Sequence, residues 1–201
     1  MTTDCSAVNI YDSLRFCKGK NTFPGIRPMV FFIPKSLIVK WPTLPDVDAE
    51  DATMESIACY DGDFVLAADA VFKTMDILST ASNVTSASQG EGASKSFLNS
   101  STLKYAGTDE AATGFSRMAN VDDLVYVVQQ RDGKFRVIGN EMMETNTNPS
   151  QDSGMNVTDA AGTTLEISVS DVCPAPFFKG KLKTSKGILD CATGMFEEAA
   201  A

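Results

Sequence analysis

The sequence predicts a mainly β protein, a β-sandwich or barrel flanked by one short α-helix. Three observations carry this. Short runs of β-branched and aromatic residues recur between Gly, Pro and Asp-Gly turn signals. The segment Leu165 to Ser170 alternates strictly, with Leu165, Ile167 and Val169 on one face and Glu166, Ser168 and Ser170 on the other. Only one stretch, opening at Thr108, combines helical period with a capping residue.

Taken in chain order, residues 1–22 show no clean period and read as an arm or a loosely helical lead-in. After the Pro24-Gly25 turn, Ile26 to Ile33 and Leu37 to Trp41 read as strands on either side of Pro34. Four prolines, Pro28, Pro34, Pro42 and Pro45, keep this region extended and prevent a regular central strand throughout. The acidic run Asp46 to Asp51 lacks the Gly and the terminal Glu of a calcium loop and reads as solvated. Asp61-Gly62 is a turn, followed by strands at Phe64 to Leu66 and Val71 to Leu78.

Ser79 to Ser96 is the compositional break. Rich in Ser, Ala and Gly, it buries too little apolar surface to offset its own ordering entropy, and reads either as a flexible linker between two domains or as a long loop that orders only against a neighbouring subunit. The predicted helix follows, with Thr108 as N-cap and Ala111, Phe115 and Met118 as its apolar stripe. Leu124 to Val128 and Phe135 to Ile138 then flank Arg131-Asp132-Gly133-Lys134 as a hairpin. A polar connector, Thr145 to Asp159, precedes the alternating strand, and Pro174 and Pro176 lead into Phe177-Phe178. The whole, 1–201, reads as one domain with a core, or two small ones.

Composition narrows function. The chain contains no histidine, which removes the usual neutral-pH general base and the commonest metal ligand. Glu141 and Glu144 are the nearest candidate acids, beside a strand end with no sign of a buried pair. The chain is therefore expected not to be an enzyme, with no cofactor and no metal. Its net charge of −9 argues against holding nucleic acid by phosphate neutralisation. The small basic cluster Lys179, Lys181, Lys183 and Lys186 reads as a solvated strand face. Five cysteines at irregular spacings, Cys5, Cys17, Cys59, Cys173 and Cys191, read as buried small apolar residues or free thiols. The N-terminus lacks the basic start and apolar core of a signal peptide, and no apolar run reaches a membrane span, so a cytosolic, reducing origin is expected.

The run from Asp123 through Arg131-Asp132-Gly133-Lys134 to Gly139 resembles the central hairpin of phage major tail (tail tube) proteins, a strand, a short Asp-Gly turn and a strand ending at Gly. The likeness extends over Gln151 to Gly154 and Asp159 to Ile167. Pro24 to Pro28, Ile33 to Ser36 and Trp41-Pro42 are similar to structural proteins of phages and prophages of Bacteroidetes-type bacteria. The resemblance implies a tail-tube-like fold, shared with type VI secretion tubes and tail terminators. It implies hexameric rings that stack into a tube within the virion tail, made in the host bacterial cytoplasm. The partners would be further copies of the chain and other tail proteins, with DNA passing unbound through an acidic conduit. The alternatives are a terminator or adaptor ring and a monomeric decoration or host-binding module. Ser88, Gln89, Gly90, Glu91 and Gly92 in the Ser/Gly-rich stretch, with Asn148, Gln151 and Asp152 in the connector, are the expected self-assembly residues.

Overall fold

The computed structural model describes residues 10–15, 18–19 and 21–197. Most of the expected N-terminal arm, with Cys5 and Cys17, lies outside the described residues. In chain order the strands are β1 (Ile26–Pro34), β2 (Ile38–Lys40), β3 (Cys59–Tyr60), β4 (Val65–Leu66), β5 (Lys73–Asp76), β6 (Asn83–Gln89) and β7 (Ser96–Ala106). One helix, α1 (Glu110–Ala119), follows. Then come β8 (Leu124–Gln130), β9 (Phe135–Ile138), β10 (Asn146–Asp152), β11 (Gly162–Asp171), β12 (Phe177–Phe178), β13 (Lys181–Thr184), β14 (Gly187–Asp190) and β15 (Met195–Phe196).

The protein is mainly β. A six-stranded sheet runs β3-β12-β9-β8-β1-β5 and a four-stranded sheet runs β10-β11-β7-β6. Smaller sheets join β13-β14-β15 and β2-β4. None closes into a barrel, which removes that half of the sequence expectation.

The six-stranded sheet is buried on both faces, and this explains its sequence. In β8 five consecutive residues are buried, with Leu124, Tyr126 and Val128 in one cluster and Val125 and Val127 in the other. A strand covered on both sides has no polar face to alternate with, so it reads as a continuous apolar run. One cluster joins Tyr126 and Val128 to Leu103, Leu165, Ile167 and Val169 of the four-stranded sheet and to Ala119 of the helix. The other joins Phe31, Val127 and Phe135 to Phe64, Phe72, Leu182 and Leu189. Burial of each such large side chain contributes about 1.5–3 kcal/mol.

The prolines act where expected. β1 is an interior strand between β8 and β5, and its pairing with β8 shifts register between Ile26 and Val30, the stretch that contains Pro28. A residue without an N–H is tolerated at such an irregularity. The predicted hairpin forms as β8–β9, with Gly133 at φ 94° in its turn.

Four expectations need correction. The Ser79–Ser96 stretch is not a loop throughout, because Asn83–Gln89 is strand β6, paired residue for residue with β7 from Asn83↔Thr102 to Gln89↔Ser96. Main-chain pairing along a whole strand offsets the ordering entropy that side-chain burial could not. The connector likewise contains β10, paired with β11 from Asn146↔Ser168 to Asp152↔Gly162. The helix is capped by Asp109, not Thr108; Asp109 Oδ1 accepts the Ala112 N–H at 2.7 Å. Its inward face is accordingly Ala112, Phe115 and Ala119, while Met118 is exposed.

A candidate assembly surface

The four-stranded sheet has one covered and one open face. Odd residues of β7 and β11, including Leu103, Leu165, Ile167 and Val169, point into the core. The opposite face carries Thr85 and Gln89 of β6, Ser100 and Thr102 of β7, Thr164 and Ser168 of β11, and Asn148 and Ser150 of β10. Charge on it is confined to Lys104, Asp152 and Glu166. Short hydroxyl and amide side chains bond across strands: Gln89 Nε2 donates to Ser96 Oγ at 3.0 Å and to Ser170 Oγ at 2.8 Å.

The two outer strands of this sheet, β6 and β10, differ in how their free edges are treated. β10 carries Pro149, whose lost N–H suits an edge, and the helix lies alongside, with Thr113 Oγ1 donating to Gln151 Oε1 at 3.2 Å. Among the described residues β6 has none of these devices. Its seven residues, Asn-Val-Thr-Ser-Ala-Ser-Gln, include no charge and no proline, and its register is unbroken. In β7, the Lys104 N–H donates to Ser82 Oγ and its carbonyl accepts from the Leu78 N–H, so even-numbered β7 residues turn their main chain toward β6. By antiparallel alternation Asn83, Thr85, Ala87 and Gln89 face β7, and Val84, Ser86 and Ser88 present N–H and C=O outward. These outward groups recur about every 7 Å.

The sequence-predicted residues fall at both edges of this one sheet. Ser88 is exposed on β6 with its main chain outward, whereas Gln89 is engaged within the sheet. Gly90, Glu91 and Gly92 form the exposed turn after β6, and a Cβ at Gly90, where φ is 86°, would collide with the Ser94 carbonyl oxygen. Asn148 and Asp152 are exposed on β10; Asp152 Oδ1 accepts the Gly154 N–H at 2.9 Å. Gln151 is occupied by Thr113 and Thr163, and so secures the helix rather than offering itself to a partner. Sequence reading places Val84 and Ser86 within the Ser79–Ser96 stretch without singling them out. The available signal was a run able to alternate without a single charged residue.

Titratable groups elsewhere follow burial. Glu141 and Glu144 are both exposed, and the Asp46–Asp51 run is an exposed turn. Lys179, Lys181, Lys183 and Lys186 are solvated, with Lys181 paired to Glu197. Among the described residues no three or more Cys, Asp or Glu gather as a metal site. Cys173 and Cys191 are buried and Cys59 half-buried, all three as free thiols. Burial, reinforced by Asp171, pushes the Cys173 thiol up to about 11, away from thiolate reactivity.

No family model, curated protein or solved structure matches the chain.

Proposed function

We propose that this protein is a virion structural subunit that self-associates through the open edge of β6 into rings, stacked as a tail tube. The observation that carries the reading is that edge: a seven-residue, uncharged strand whose outer side no described residue pairs, in a sheet whose other edge is guarded by Pro149 and the helix. Natural monomers blunt such strands, and one left bare is a template for strand addition.

Three features support the finer form. The hairpin residues carry the resemblance to tail tube proteins. The two large sheets share one core cluster with the single helix against them, as in a sandwich. The open face of the four-stranded sheet is polar with scattered charge, and the chain carries −9 overall, which suits a lumen that lets DNA pass without holding it. Negative-stain imaging of the purified full chain at rising concentration tests the ring form. Rings or rods of uniform width are expected; particles of single-subunit size at every concentration overturn it.

A further inference from the structure

β5 is an edge of the six-stranded sheet, and the middle of its outer side is open. The Phe72 N–H donates to the Lys183 carbonyl at 2.8 Å and the Leu78 N–H to the Lys104 carbonyl at 2.7 Å, so even-numbered residues here turn their main chain outward. Between them, the outward N–H and C=O of Thr74 and Asp76 have no partner among the described residues. Beside this opening a groove of about 270 Å³ runs between β5 and α1, lined by Phe32, Phe115, Leu165, Tyr105 and Ala111. Phe32 and Phe115 meet edge to face, with centroids 5.1 Å apart. Thr74 and Asp76 line the groove as well. Thr74 pairs with Phe31 and belongs to the other face of β5, so what it offers the groove is main chain. Asp76 is exposed, and neither ion pair among the described residues involves it.

The same chain carries apolar side chains that nothing covers. Residues 10–15, Ile-Tyr-Asp-Ser-Leu-Arg, form no regular element, and Tyr11 and Leu14 are 89 % and 91 % exposed. The Asp12 N–H points to Met54 Sδ at 3.4 Å, in the segment leading into β3. β3 and β5 are opposite edges of the six-stranded sheet, five strand intervals or about 24 Å apart. Each copy thus carries this segment at one edge and the groove at the other.

We propose that the groove beside β5 receives the segment Tyr11–Arg15 of a second copy, added as a short strand to Thr74 and Asp76. In extended chain Tyr11, Ser13 and Arg15 share a face. The Tyr11 ring enters against Phe32 and Phe115 with its hydroxyl at the open mouth, and Arg15 meets Asp76. Main-chain bonds to Thr74 and Asp76 set the register. The opening from Phe72 to Leu78 spans about 20 Å of extended chain, which admits five residues but not seven-residue β6 with β7 attached. With segment and groove on opposite edges the contact is head-to-tail, the kind that closes a ring. It is independent of the β6 edge, and too small to hold two copies by itself, so it fastens copies already brought together.

A fluorescein-labelled peptide of residues 10–15, followed by anisotropy, is titrated with the full chain as wild type, Ala111→Arg, Ser88→Pro and Tyr11→Ser. Saturable binding to the wild type is expected, about tenfold weaker in Ala111→Arg, which fills the groove from an exposed helix position, and about tenfold weaker for a Tyr11→Ser peptide. Ser88→Pro is expected to bind as the wild type does, which separates this contact from the β6 edge. No saturable binding, equal binding in Ala111→Arg, or lost binding in Ser88→Pro overturns the proposal. Binding seen only when the full chain itself carries Tyr11→Ser overturns it too, because the segment then occupies its own copy's groove.

Discussion

The hydroxyls of Tyr126 and Thr147 lie 3.0 Å apart in the core, tying an interior strand of the six-stranded sheet to the edge strand β10 of the four-stranded one. Both residues are almost wholly buried, so each hydroxyl is the other's means of escape from desolvation. Tyr126→Phe is expected to cost about 1–3 kcal/mol, because it strands the Thr147 hydroxyl. The double variant Tyr126→Phe/Thr147→Val should recover part of that loss. Urea unfolding of the four forms checks this; an additive double variant would contradict the coupling.

Asn99 is the second polar fastening. Fully buried on β7, its Nδ2 donates to the Cys173 carbonyl at 3.0 Å while its Oδ1 accepts the Ala175 N–H at 2.9 Å. It thereby fixes the turn between β11 and β12, where Ala175 stands at φ 35°. Asn99→Ala leaves one buried donor and one buried acceptor unpaired and should destabilise by about 3 kcal/mol. A loss well under 1 kcal/mol in thermal or urea unfolding would show that water or another group replaces the amide.

The turn after β6 separates two glycines. Gly90→Ala forces a left-handed residue against the Ser94 carbonyl and should destabilise by about 1–3 kcal/mol. Gly92, at φ 58° with open space where a Cβ would stand, should cost about 1 kcal/mol as alanine. Amide hydrogen exchange across β6 and β7 reads the difference; equal loss of protection in both variants would contradict it.

Asp171 supplies a pH dependence. Burial is the largest cause and pushes its carboxyl above the ordinary range, against the lowering effect of the Val172 and Cys173 N–H groups. The folded form therefore holds the proton more tightly than the unfolded chain. Wild-type stability is greatest with the proton on, falls as pH rises from the unfolded carboxyl range, about 4, through the folded value, and then levels. Asp171→Asn removes that loss. Its stability relative to wild type should rise from about pH 3 to neutrality. Urea midpoints across the range decide, and a difference that is flat or falls with pH would contradict the burial account.

How much was legible in the sequence follows from where each segment gets its stability. The β8–β9 hairpin and β11 announce themselves because their apolar residues and the Asp132-Gly133 turn act locally. β6 and β10 do not, because they are held by main-chain pairing to β7 and β11, to which Ser, Thr and Asn side chains contribute little pattern. The same segments were expected to form the assembly surface, yet as loops, and the open edge of β6 became visible only once β7 was in place beside it. The helix cap slipped by one residue because Thr108 and Asp109, adjacent in the chain, are both good caps.

A proline on the outer side of β6 is the sharpest probe of self-association through that edge. The Ser88 N–H points away from β7, so Ser88→Pro removes an outward donor without breaking the hydrogen bonds within the sheet. The measurement is molar mass by light scattering over a concentration series for wild type and Ser88→Pro, with matched unfolding curves to establish that both are folded. Wild-type mass is expected to grow with concentration toward a closed multiple of 21.5 kDa while the variant stays at 21.5 kDa. Equal masses for the two at every concentration would contradict it.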